Sequence, residues 1–230
     1  WMDEGLNTLL NHYSNLAYYG EGAQRVRGTS PDYAVQQMLL PTHDQPVMTY
    51  ADQIRREGLG FMAYRKPGFA LILLREVVLG PERFDAAMKE YIRRWTNKHP
   101  QPADFFRTIE NVSGEDLSWF WRGWFYSTEL LDQAVDSVTV GDGVTLVHLS
   151  NREGLVMPVM LEVEYAGGLT ERHRLPVEIW FRADSYAFEL PGVREVVRVT
   201  VDPDRKLPDV RRENDTWRKA TARAEAAVGR

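Results

Sequence analysis

Two hydrophobic periods divide this sequence. Up to about residue 131, apolar residues recur every three or four positions; from about residue 134 to residue 202 they recur at every second position. The first period predicts helices. Leu6, Leu9, Leu10, Tyr13 and Leu16 put one apolar stripe on a helix that Asp3 can cap and that Gly20 and Gly22 end. Residues 21–49 contain Gly28, Pro31, Pro41 and Pro46 and read as irregular chain over a cleft, with a short helix at 35–39. Residues 64–79 are apolar on nearly all sides, through Phe69, Ala70, Leu71, Ile72, Leu73 and Leu74, which predicts a helix buried in a bundle and stopped by Gly80. Pro81, in a first-turn position, opens a helix with the stripe Phe84, Ala87, Met88, Tyr91, Ile92 and Trp95, ending near Lys98. Ser113, Gly114, Glu115 and Asp116 have the form of a capping box opening a short aromatic helix with Leu117, Phe120, Trp121 and Trp124.

The second period predicts half-buried strands. Val159, Leu161, Val163 and Tyr165 alternate with Met160, Glu162 and Glu164; Val197, Val199 and Val201 alternate with Val196, Arg198 and Thr200. Turn signals at 141–143, 151–154, 166–168, 183–185 and 191–192 divide this part into six or seven strands, the density of a small β-sandwich. The expected organisation is therefore α + β and multidomain: a helical part over 1–131, a β-sandwich over 132–210 and a charged, Ala-rich tail over 211–230, frayed or weakly helical, with Trp217 its one large hydrophobe.

Composition narrows the function classes. A net charge of -5 lacks the clustered cations of a nucleic-acid footprint. With no Cys, disulfides, thiolate chemistry and Cys-based zinc sites are excluded. The apolar run 69–74 is far too short to span a bilayer. Phosphate-loop and nucleophile-elbow motifs do not occur. Asp202, Asp204 and Asp209 lack the Gly and terminal Glu of a calcium loop and read as a turn.

The first seven residues, Trp1-Met2-Asp3-Glu4-Gly5-Leu6-Asn7, resemble the segment that carries the third zinc ligand in the gluzincin aminopeptidases, the family of aminopeptidase N and leukotriene hydrolase. Tyr64-Arg65-Lys66-Pro67-Gly68 resembles the family's Y-x-K helix start. Leu79 to Phe84 with Tyr91, and Asp104-Phe105-Phe106 through Trp124, are similar to its later packing motifs, and the region after Asn151 is more loosely similar to the β-sandwich of bacterial members. The resemblance implies the helical C-terminal half of a thermolysin-like catalytic domain followed by that sandwich. It implies Glu4 as a zinc ligand, Asp3 as its neighbour in a supporting shell, and Tyr64 as the hydroxyl that stabilises the oxyanion. The intact enzyme would hydrolyse peptides from the free N-terminus, with export to the periplasm or beyond.

Two zinc histidines and the general base belong, in that family, to an H-E-x-x-H helix lying before the ligand Glu. Here His12, His43, His99, His148 and His173 include no pair four residues apart, so the motif is not in this sequence. The expectation is a fragment, inactive alone, whose partner is the missing N-terminal part of the same protein. A non-catalytic scaffold derived from the same fold is the alternative, and zinc epoxide hydrolysis is a variant of the first reading.

Overall fold

The first helix buries two small residues near its start. In α1 (Glu4–Tyr19) the buried set is Gly5, Thr8 and Leu9, while Leu10 of the predicted stripe is 51% exposed. The reason is the close contact of Gly5 and Thr8 with a second helix, which leaves Leu10 turned outward. The computed structural model describes residues 1–20, 28–141, 143–190, 192 and 194–220 and divides into two units. One unit comprises Trp1–Leu130 with Lys206–Pro208, the other Leu131–Arg205 with Asp209–Arg230.

In the helical unit, α1 packs on a run that changes pitch twice. Gly60–Arg65 is π-helical, Lys66–Leu73 (α3, named after α2, Pro31–Met38) is α-helical, and Leu74–Leu79 is π-helical again. Every residue of α3 is buried, as an all-round apolar helix requires. Gly80 ends the run at φ 84°, a conformation that favours glycine. Next come α4 (Pro81–Trp95), α5 (Pro102–Ser113) and α6 (Ser118–Tyr126). Helix α4 buries Phe84, Ala87, Met88 and Tyr91 but leaves Ile92 53% exposed, at the edge of its stripe.

Two local expectations are corrected. Asp3 makes no side-chain cap bond, because the carbonyl of Trp1 already accepts from the Gly5 amide at 2.7 Å and helical bonding begins before Asp3. Ser113 to Asp116 is not a capping box: Ser113 ends α5, and Gly114 closes it in the left-handed conformation. The backbone N–H of an N-cap residue does reach a side chain at Gln101, which donates to Asp104 Oδ2 at 2.8 Å and opens α5. Helix α5 itself has no counterpart in the periodicity reading, since its buried set includes the polar Thr108 and Ser113 beside Phe105, Phe106 and Ile109.

The other unit contains two antiparallel sheets. One has the order β1 (Gln133–Gly141), β2 (Val144–Asn151), β5 (Ser185–Leu190); the other has β4 (Thr170–Leu175), β3 (Val159–Tyr165), β6 (Val196–Val201), β7 (Thr216–Arg218). Strand β3 buries Val159, Leu161, Val163 and Tyr165, the alternation read from the sequence. Strand β6 departs from it. A register shift opposite Glu164 and Tyr165 admits an extra residue, so Val196, Val199 and Val201 are buried and Val197 is not.

The tail begins later than Arg211. Thr216–Arg218 pairs with β6, and Arg212 bonds Asp202 at 2.9 Å and Asp215 at 3.0 Å. Asp202 to Arg205 forms a turn closed by the Arg205 amide on the Asp202 carbonyl. Gly22, Asp142, Pro191 and residues 221–230, which figured in the sequence reading, lie outside the described residues.

The α1–α3 crossing makes a direct prediction. A Cβ at Gly68 would stand 2.6 Å from Thr8 Cγ2, whereas one at Gly60 would meet nothing within 4 Å. Gly68→Ala is expected to lower stability by about 1–3 kcal/mol through overpacking. Gly60→Ala is expected to be neutral or to stabilise by up to about 1 kcal/mol. Urea unfolding midpoints measure both.

Candidate functional site

The two residues singled out from the sequence, sixty positions apart, touch. The Tyr64 hydroxyl donates to Glu4 Oε1 at 2.6 Å. Both are half-buried, and the phenol's ionisation is pushed above its ordinary range, first by donation to Glu4 and then by burial. Tyr64 is therefore a neutral donor across the physiological range. Glu4 sits in the first turn of α1 and Tyr64 in the π-helical segment that precedes α3.

Glycine is what allows that approach. A Cβ on Gly5 would lie 2.8 Å from both Cβ and Cγ of Pro67, so only a bare backbone fits there. Gly68 meets Thr8 in the same way, and the Thr8 hydroxyl is turned back to the Glu4 carbonyl at 2.8 Å. The segment Pro67-Gly68 on one helix and Gly5 with Thr8 on the other therefore form a single contact. It sets the distance between Glu4 and Tyr64.

Trp1 anchors the start of α1 in an aromatic group. Its ring stacks on Phe106 at 5.8 Å and 9°, meets Phe105 and Phe125 edge-on, and its Nε1 lies 3.3 Å from Met48 Sδ. The aromatic residues of α5 and α6 thus pack among themselves and on Trp1. An open cavity of about 800 Å³ borders Trp1 and Met2 and is also lined by Met48, Tyr50, Pro102 and Tyr126. Neither Glu4 nor Tyr64 lines it.

A third polar group, which spacing in the sequence could not reveal, lies behind the Tyr64 segment. Lys66 is 1% exposed, and its Nζ is 2.9 Å from His43 Nε2 and 3.0 Å from the Ser127 carbonyl. His43 Nδ1 is 3.1 Å from the Met38 carbonyl, an oxygen that only accepts, so Nδ1 carries the ring proton. Nε2 is then the acceptor for the lysine. Burial, together with the nearby Lys66, lowers the His43 pKa to about 4, and burial lowers that of Lys66 to about 7. Lys66 is thus committed inside the unit. Arg65 runs close over Gly28, where a Cβ would meet its Cδ at 2.7 Å.

The fit to zinc rests on the donor set. Glu4 has one oxygen bonded to Tyr64 and suits a carboxylate ligand, but no group of three or more His, Cys, Asp or Glu able to hold a metal occurs among the described residues. His12 has Thr29 as a partner and His43 has Lys66, so neither adds to Glu4. The residues present offer one ligand and not a zinc site. Among the described residues, no helix is long and apolar enough to cross a membrane.

Comparison with protein families gives no match, and comparison with curated proteins gives none. Among solved structures, aminopeptidase A of Legionella pneumophila in complex with aspartic acid is similar, with a TM-score of 0.59 and 15% identity. The likeness covers 90% of this chain and 23% of that one, so the chain spans under a quarter of that protein. It establishes a distant aminopeptidase-like fold.

The buried imidazole gives the site a pH signature. The unfolded chain binds a proton at His43 near pH 6.5 and the folded chain near pH 4, so stability falls as pH drops through that window. The urea midpoint is expected to decline between pH 6.5 and pH 4 more steeply in the parent protein than in His43→Gln.

Proposed function

We propose that this chain carries two functional groups of a gluzincin-type zinc aminopeptidase: the carboxylate ligand Glu4 and the oxyanion donor Tyr64. On this reading its helical unit is the C-terminal half of a thermolysin-like catalytic domain, and its two sheets are the β-sandwich that follows. The observation that carries the proposal is the 2.6 Å bond between Tyr64 and Glu4, built on an α1–α3 contact that excludes any residue larger than glycine at two positions. The aminopeptidase-like fold supports it.

The substrate class is a peptide with a free N-terminus, processed outside the cytoplasm. Zinc, when bound, supplies Lewis acidity toward the scissile carbonyl. The chain's own residues do the rest of what is assigned here. Glu4 contributes one anionic ligand from a rigid helix start. Tyr64 keeps its proton and directs it at the place where negative charge collects, stabilising the transition state without adding a charge to the ground state. The histidine ligands, the general base and the groups that recognise the substrate amine come from outside these residues.

In the complete polypeptide loaded with zinc, Tyr64→Phe is expected to lower kcat by about 10²–10³-fold, the size of losing one oxyanion donor, with zinc content unchanged. Glu4→Gln is expected to lower bound zinc below one equivalent. An unchanged kcat in Tyr64→Phe rejects the role given to Tyr64. Tight stoichiometric zinc on the present chain alone, read by elemental analysis after dialysis, rejects the view that its donor set is partial.

A further inference from the structure

We infer that Lys66 and His43 are positioning residues for the Tyr64 phenol, an inference that rests on the catalytic reading of Tyr64 given above. Tyr64 lies in a π-helical turn, in which the Lys66 amide bonds the Phe61 carbonyl five residues back, and Lys66 is the first residue of the α-helical run that follows. The pitch therefore changes at Lys66. Where that change falls fixes the direction in which the residues just before it project, since moving it by one position rotates them about the helix axis.

The side chain of Lys66 pins that junction from one side. Its amine donates to His43 Nε2 and to the Ser127 carbonyl, two acceptors on separate parts of the unit, while Pro67 and Gly68 pin the next two residues against Gly5 and Thr8. His43 is itself fixed by Nδ1 donating to the Met38 carbonyl and by an edge contact with Phe61, a residue of the π-helical turn. The residues 39–50 that contain His43 also contain Met48, whose amide bonds the Phe125 carbonyl and whose sulfur meets Trp1. One loop thus holds the segment before Glu4 and the segment of Tyr64 together.

Stability gives no reason for an amine here. Burying an ammonium is costly, and apolar residues of similar volume in place of such a pair are often neutral or stabilising. What the amine adds is direction: two bonds at 2.9 Å and 3.0 Å that a methionine cannot make. The charged groups facing the pair are Asp44, beside His43, and Glu129, which follows the Ser127 carbonyl. The imidazole has to stay neutral for the bond to exist, because a proton on Nε2 would point at the amine.

The test uses the complete polypeptide in four forms: parent, Lys66→Met, His43→Leu and the double variant. Unfolding in urea, kcat and KM on a panel of aminoacyl 4-nitroanilides, and the nuclear Overhauser contact between the Tyr64 ring and the Glu4 side chain in zinc-free protein are measured. Each single variant strands a buried polar partner and is expected to lose stability, and the double variant is expected to regain most of it. In the double variant kcat is expected to stay about tenfold low with KM within about twofold, and the Overhauser contact to stay below half its parent intensity. If kcat and the Overhauser contact recover together with stability, the pair is a packing feature only and the inference fails. If the parent cleaves none of the panel, the catalytic reading fails instead, and the Overhauser contact alone decides whether the pair positions Tyr64. Should the double variant not fold, His43→Gln and His43→Leu decide: the amide oxygen of Gln still accepts from Lys66 and is expected to preserve more of the contact, and equal loss in both overturns the inference.

Discussion

The contact between α1 and α3 is the constraint on which the placement of Glu4 against Tyr64 depends. Two helices normally lie 8–10 Å apart, at a spacing set by the side chains between them. Here Pro67 faces Gly5 and Thr8 faces Gly68, each glycine leaving no room for a Cβ. A carboxylate at the start of one helix and a phenol just before the other are thereby close enough to form a hydrogen bond. Larger residues at Gly5 or Gly68 would act on the site through distance alone, leaving every polar group in place.

Around that contact the unit divides its fixing devices by type. On the Glu4 side the anchor is aromatic: Trp1 stacked on Phe106 and edged by Phe105 and Phe125. On the Tyr64 side it is polar: Lys66 bonded to His43 and Ser127. Ring packing holds Trp1 by contact with three rings, whereas two hydrogen bonds with separate acceptors set the direction of one amine. The phenol, whose hydroxyl must aim at one oxygen, has the directional anchor. The carboxylate has two equivalent oxygens and needs only to be held near.

Most elements were legible in the sequence, and Glu4 and Tyr64 could each be singled out there, because these signals are short-range. Helix and strand periods are local, and the segments around Glu4 and Tyr64 are each short, contiguous runs. What the sequence could not show depends on long-range contact or on a residue out of period. Helix α5 escaped because Thr108 and Ser113 occupy buried places. The Val196–Val201 alternation failed at a bulge, which only its pairing with β3 defines. Leu10 and Ile92 were placed inside by spacing, although hydrophobic character permits burial and does not compel it. His43 and Lys66 are twenty-three positions apart in irregular chain and helix, with nothing in their spacing to connect them.

The Tyr64–Glu4 bond also sets a condition on the proposed chemistry. A hydrogen bond to a charged group contributes about 1.5–3 kcal/mol, and the phenol has to release it before it can donate to any other oxygen. In the proposed role, Tyr64 would act only when its interaction with the new acceptor outweighs that with Glu4. An uncharged carbonyl is a weaker acceptor than the carboxylate and does not draw the phenol away; an oxygen acquiring full negative charge does. The resting bond thus biases Tyr64 toward late, charge-developed geometries and against the ground state. The 2.6 Å contact also offsets part of the stabilisation that Tyr64 can give, because the ground state keeps the bond to Glu4 and the transition state loses it.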